Sequence, residues 1–388
     1  MNKKENLFNK NYLLLSLVNL VTALGFSMIT SIISPYAVSI GAGLTLAGFL
    51  TGIFSISALF IRPFTGAALD ILNKRNMCIF STTMICISFL GYGLVQNIPM
   101  LLFFRVLHGM SFGISSTSSM ALVCEYIPKE RLGEGLGYFG LGQVISRIIG
   151  PYIGIELMDK FGFRSLFVLI ALLTSLAILI LFTIKVEKKE YQSIKKIGSS
   201  IQLKNLIEKS CIVYALVAGL FSLANGVTAS FMVLLGEERG INNIALFFSA
   251  NAIALAVLRL VVGKFIDRAK LMPIVIMSLI VSGVSMVMVG NASGLTAILI
   301  AAVLKAIGQG TGQLSLQSAC IKKVDATRVG VATSTYYIGA DIGQGLGPII
   351  GGKVSELYSY KTMFYFVAKL MVVGIIVFIT YQIRESRR

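Results

Sequence analysis

The chain has 388 residues, of which 56% are hydrophobic and only 13% charged, with a mean hydropathy of +0.84. Soluble domains carry roughly 25% charged residues, so this chain cannot cover a surface of its size for water. The net charge of +17 would suit a nucleic-acid binder, but the basic residues fall between apolar runs rather than on one patch.

In chain order, apolar runs long enough to cross a bilayer fall at about 12–34, 44–68, 77–95, 100–123, 132–156 and 165–185. A polar, lysine-rich stretch follows at 186–209. Six further runs lie at about 210–235, 244–266, 272–290, 294–319, 330–352 and 362–383. The expected fold is all-α and integral to a membrane: twelve transmembrane helices in two six-helix bundles, 1–185 and 210–388, joined by a cytoplasmic linker at 186–209. The cysteines Cys78, Cys86, Cys124, Cys211 and Cys320 lie in or beside apolar runs, without metal-ligand or disulfide spacing, and read as small hydrophobes.

Orientation follows from the basic residues. The N-terminus, every second loop and the C-terminus hold Lys3, Lys4, Lys10, Lys74, Arg75, Lys129, Arg131, seven lysines between 185 and 209, Lys264, Arg268, Lys270, Lys322, Lys323, Arg328, Arg384, Arg387 and Arg388. The opposite loops hold only Lys160, Arg164, Arg239, Lys353 and Lys361. Excess Lys and Arg mark the cytoplasmic side, so both termini are expected there.

An offset of 197 residues superposes the two halves. Arg62, Gly66 and Asp70 return as Arg259, Gly263 and Asp267; Gly150, Pro151 and Gly154 return as Gly347, Pro348 and Gly351. A duplicated bundle of this kind places a solute site near the bilayer midplane and alternates its access by rocking one half on the other.

These residues resemble a known family. Gly66-Ala-Ala-Leu-Asp70 with Lys74-Arg75, Arg105-x-x-His108-Gly109, and Gly142-x7-Gly150-Pro151-x-x-Gly154 are similar to motifs of the major facilitator superfamily, in particular its twelve-span drug–proton antiporters. The first motif departs from the family pattern at Ile71 and Asn73; its second copy, Gly263 to Arg268, keeps the Arg. The resemblance implies gating at the cytoplasmic ends by Gly66, Asp70, Arg75, Gly263, Asp267 and Arg268, and proton coupling by Arg105. It also implies helix bending and packing at the two glycine-proline motifs, and residence in a bacterial cytoplasmic membrane. Arg62 and Arg259, one turn above the aspartates, are expected to snorkel inward or to bind that closure.

Ionisable groups inside spans are costly and mark functional sites. Arg105, His108 and Phe112 share one helical face with Ser115 and Ser119; Lys305, Gln309, Gln313 and Gln317 form a polar stripe at four-residue spacing. In the resembled fold the first, fourth, seventh and tenth helices line the cavity, so both stripes are expected to face the solute path; Arg147, Tyr337 and Asp341 are further candidates for it. The plainer alternative is a set of interhelical bonds that only hold the bundle. Asp341 is the carboxylate nearest a span centre and is expected to carry a proton, or else to pair with Lys305. Lys369 reads as a snorkelling residue without a role.

The Gly135-x-Gly137-x-x-Gly140 run is not a dinucleotide site, because it lies in an apolar helix without a preceding strand. A P-loop is absent, and one histidine with no metal cluster offers no catalytic constellation, so neither an enzyme nor a cofactor is expected. The expectation is a proton-coupled exporter, working as a monomer on a small anionic or zwitterionic solute. Efflux of lipophilic cations, or uptake by symport, is the alternative.

Overall fold

The computed structural model describes residues 7–42, 44–94, 97–184 and 206–386, all regular elements among them being helical. Lys3, Lys4, Arg387, Arg388 and most of the expected linker lie outside the described residues. The chain begins with α1 (Lys10–Ser39), α2 (Leu44–Leu69), α3 (Lys74–Leu94) and α4 (Ile98–Val123). α4 starts where Asn97 accepts the Met100 N–H at 2.9 Å and a proline occupies the first turn, two signals that fix a helix N-terminus.

A single helical run, Leu132–Thr183, covers the expected fifth and sixth spans. Gly162, at φ 77° and ψ 167°, breaks it into α5 (132–161) and α6 (163–183). The expected eight-residue loop is thus a one-residue turn, possible because glycine tolerates positive φ. Then come α7 (Ile212–Arg239), α8 (Leu246–Arg268), α9 (Leu271–Asn291), α10 (Leu295–Lys322), α11 (Val329–Leu357) and α12 (Tyr360–Ser386).

Ten runs among the described residues are long and apolar enough to cross a membrane. One of them holds both α5 and α6, and α11 is not among them. Thr333, Ser334, Thr335, Asp341 and Gln344 dilute its hydropathy.

The chain packs as two compact units. The first comprises residues 1–129, 139–207 and 325–334; the second comprises 130–138, 208–324 and 335–388. The first unit's core joins Ile29, Ile32 and Ile33 of α1 to Phe89 and Tyr92 of α3 and Phe167 and Ile170 of α6. Inside it the Tyr36 hydroxyl donates to the Tyr92 carbonyl at 2.7 Å. In the second unit Arg239 closes the end of α9 by donating to the carbonyls of Val289, Gly290 and Ala292 at 3.1, 2.8 and 2.6 Å. The last carbonyls of a helix are short of helical donors, Val289 keeping only the Ala292 N–H at 3.3 Å, and a cation there is favoured by the helix dipole.

Small residues bring helices together where lipid supplies no hydrophobic drive. In the second unit, Gly339, Gly343, Gly347 and Gly351 of α11 face Ala215, Gly219, Leu223 and Val227 of α7. A Cβ on Gly347 would stand 2.5 Å from the Leu223 carbonyl, and one on Gly343 would collide with the Gly219 carbonyl. The first unit repeats the arrangement between α5 and α1. There Gly150 meets Ser27, Gly154 meets Met28, and Ser146 donates to the Leu20 carbonyl at 3.2 Å.

Candidate functional site

Two aspartates cap helices at a distance in sequence. Asp70, just past α2, accepts the Gly330 N–H at 3.0 Å, at the first turn of α11. Asp267, at the end of α8, accepts the N–H groups of Gly133 and Glu134 at 2.8 and 2.9 Å, at the first turn of α5. The 197-residue offset relates one contact to the other. A carboxylate here satisfies otherwise orphaned N–H groups and sits at the positive end of the helix dipole.

The glycines at these ends make the approach possible. A Cβ on Gly66 would lie 2.6 Å from the Ser334 Cβ, and one on Gly263 would lie 2.5 Å from the Glu134 Cα. Asp267 also pairs with Lys322 at 2.7 Å, and Glu134 with Arg131 at 2.7 Å. Burial pushes the Asp70 carboxyl up to about 7, against the lowering pull of the Gly330 and Val331 N–H groups and of the Arg328 and Lys74 charges.

The neighbouring basic residues make contacts of their own. Arg62 does not snorkel: it is buried and donates from Nη1 to Ser116 Oγ and Thr117 Oγ1 at 3.0 and 3.1 Å, pinning α2 to α4. Its carbonyl accepts the Ser334 hydroxyl at 2.5 Å. Arg75 donates to the Ile184 carbonyl at 2.9 Å, so it closes the end of α6. Lys74 and Glu125 form a largely buried ion pair at 2.8 Å. Arg268 is exposed, while the Arg259 carbonyl lies 3.0 Å from where a Cβ on Gly137 would stand, within the second unit.

Higher in the first unit, Arg105 and His108 are both 1% exposed. Arg105 donates through Nε to the Leu50 carbonyl at 2.9 Å, and its guanidinium lies over the Phe54 ring at 4.6 Å. Its Nη1, and Nε2 of His108, are buried without a hydrogen-bond partner among the described residues. His108 Nδ1 lies 3.1 Å from the Tyr92 hydroxyl. Phe112 stacks on Phe26 at 4.8 Å, and Phe26 stacks on Phe54 at 5.2 Å. Ser119 leaves the expected stripe, turning toward Cys78 Sγ at 3.8 Å. Arg147, on α5, is exposed.

In the second unit the expected stripe on α10 is a string of hydrogen bonds. Lys305, 3% exposed, donates to Asn225 Oδ1 at 3.0 Å and to Gln309 Oε1 at 2.9 Å. Gln309 donates to Gln313 at 3.4 Å, and Gln313 to Ser222 Oγ at 3.0 Å. Asn225 donates to Gln344 at 3.0 Å, and Gln317 to the Tyr337 hydroxyl at 3.2 Å. The string thus joins α7, α10 and α11. Asp341 is half-buried on α11.

Sequence reasoning passed over Phe26, Phe54, Asn225 and Ser222. The phenylalanines carry no polar signal, whereas Asn225, a polar residue inside an apolar run, could have been found.

The sequence matches the description of the Major Facilitator Superfamily over residues 15–322 and 214–388. The chain belongs to that superfamily. It is similar to the multi-drug resistance efflux pump PmrA of Streptococcus pneumoniae, with 23% identity over 89% of this chain and 90% of that one. It is also similar to the multidrug resistance protein MdtG of Klebsiella pneumoniae, with 26% identity over 92% and 89% of the two chains. Among solved structures, the transporter FucP in its outward conformation shares the fold at a TM-score of 0.79 and 14% identity, over 96% of this chain and 99% of that one. This major facilitator chain is a membrane transporter and not an enzyme.

Proposed function

We propose that the chain is a twelve-span, proton-coupled secondary transporter that exports a small anionic or zwitterionic organic solute from the cell by alternating access. The observation that carries the substrate class is the pair of buried mid-helix cations, Arg105 and Lys305, 1% and 3% exposed. Lys305 is held in part by amide oxygens of Asn225 and Gln309, and Arg105 keeps Nη1 buried with no hydrogen-bond partner among the described residues. Burying a cation costs several kcal/mol, roughly, unless a counter-charge or a functional gain offsets it. A solute carboxylate offers that counter-charge to Arg105. Export is supported by the names of PmrA and MdtG. Asp341 carries the coupling proton, and Asp70 and Asp267 release their helix starts when access alternates.

A second reading, efflux of lipophilic cations, draws on the stacked Phe26, Phe54 and Phe112, since aromatic faces attract cations. Proton-driven flux in proteoliposomes separates the two. Carboxylate and zwitterionic solutes should compete for flux, and Lys305→Gln should weaken them about tenfold or more, the effect of losing one charge-assisted contact. Inhibition by tetraphenylphosphonium alone, unaffected by Lys305→Gln, would establish the cation reading instead.

A further inference from the structure

The second unit carries a groove between α9 and α12, away from the polar string. It encloses about 570 Å³, with aliphatic walls formed by Leu279, Gly283 and Val287 on α9 and by Met371 and Val372 on α12. It lies on the unit's apolar exterior, where Ile280 and Val284 are 42% and 47% exposed. From Met288 to Leu279 it runs nine residues along α9, about 14 Å at the helical rise, or close to half the roughly 30 Å hydrocarbon core. It therefore has the length of one leaflet.

Polarity is confined to one end and one side. Tyr365 lies at the mouth, its hydroxyl donating to Asn291 Oδ1 at 2.8 Å at the end of α9. Lys361 sits over the Tyr365 ring at 5.6 Å. Lys369 lines the groove one turn below Tyr365 and is exposed, with no acidic partner among the described residues. Helical side chains lean toward the helix N-terminus, so the Lys369 ammonium rises toward the mouth. Lys361, Tyr365 and Lys369 follow at four-residue spacing, placing two cations around the entrance to an apolar slot. A lysine this deep beside lipid is costly unless it meets an anion.

We propose that the α9–α12 groove binds a phospholipid with an anionic headgroup, one acyl chain lying along Gly283 and the phosphate paired with Lys369. The occupant combines a long apolar tail with a terminal anion, which is what the slot and its mouth require together. Lys369, read from the sequence as an incidental snorkelling residue, gains a partner. Gly283 leaves the space for the chain. A Cβ there would meet only Met371 Cβ at 3.6 Å and the Ala368 carbonyl at 3.8 Å, ordinary contacts that leave the packing intact.

The test uses the full chain in nanodiscs of mixed phosphatidylglycerol and phosphatidylcholine, with retained lipid counted by native mass spectrometry. Wild type should keep phosphatidylglycerol over phosphatidylcholine. Lys369→Gln should lower that preference roughly tenfold, about what one charge-assisted contact contributes, and Lys369→Arg should restore it. Gly283→Leu should abolish retention by filling the slot, at an unchanged unfolding temperature. Equal retention of the two lipids by wild type, or the same preference in Lys369→Gln, overturns the proposal. Displacement of the lipid by soluble carboxylates also overturns it, because the groove would then be a solute subsite. If Gly283→Leu misfolds, the comparison of Lys369→Gln with Lys369→Arg decides the matter alone.

Discussion

Asp70 is held by the start of α11 and penalised by its own surroundings. It accepts the Gly330 N–H, yet burial raises its carboxyl from 3.8 to about 7. The packed form therefore binds a proton more tightly than a solvated carboxylate does. Its packing is fully favoured below about 3.8 and loses stability as pH rises from there to about 7. We expect Asp70→Asn, which keeps an acceptor oxygen but cannot ionise, to flatten the fall in unfolding temperature between about pH 5 and about 7. A variant that reproduces the wild-type slope would place the titration elsewhere. The two aspartates were legible because they recur with their glycines at a fixed offset. What each one touches was not, since a carboxylate at a helix end can face water, a cation or a distant helix start with the same local sequence.

At the scale of the helix, the ladder of Gly339, Gly343, Gly347 and Gly351 sets how closely α11 lies on α7. Only Gly347 and Gly351 stood out in the sequence, because a proline flagged them. Gly339 and Gly343 carry the same small-residue spacing without such a flag. Gly343→Ala would drive a Cβ into the Gly219 carbonyl, whereas Gly345 has nothing within 4 Å of a Cβ added to it. We expect Gly343→Ala to destabilise the protein by about 1–3 kcal/mol, the usual cost of overpacking, and Gly345→Ala to leave it unchanged. Thermal unfolding of the two variants side by side checks this; equal melting temperatures would mean the helices can part without cost. Helix ends were also only partly readable. The turn between α5 and α6 is a single glycine at positive φ, where an apolar-run reading expects a loop.

For the whole molecule, hydropathy and the internal offset made the all-helical membrane fold readable, and the family match agrees with it. The site was readable in part. Lys305 and its glutamines announced themselves by polarity inside an apolar run, and their spacing predicted a single string. Phe26, Phe54 and Phe112 come together from three helices, and no one-dimensional spacing encodes that meeting. Solute identity rests on such meetings, so it stays the least readable property. Coupling can be tested directly. Asp341→Asn should abolish proton-driven accumulation in vesicles while leaving downhill exchange of solute measurable. Retained accumulation would assign the proton to another group.

The capping aspartates carry one more consequence. Asp70 completes the first turn of a helix that begins 259 residues later, at Val329, and Asp267 completes one that begins 135 residues earlier, at Leu132. Each repeat thus lends the other the acceptor that its own helix lacks. Were the backbone severed within 186–205, each fragment would hold one borrowed cap and be owed another. The cut ends would then be bound to each other by reciprocal debt rather than by peptide continuity, and the fragments should recognise one another as complementary halves.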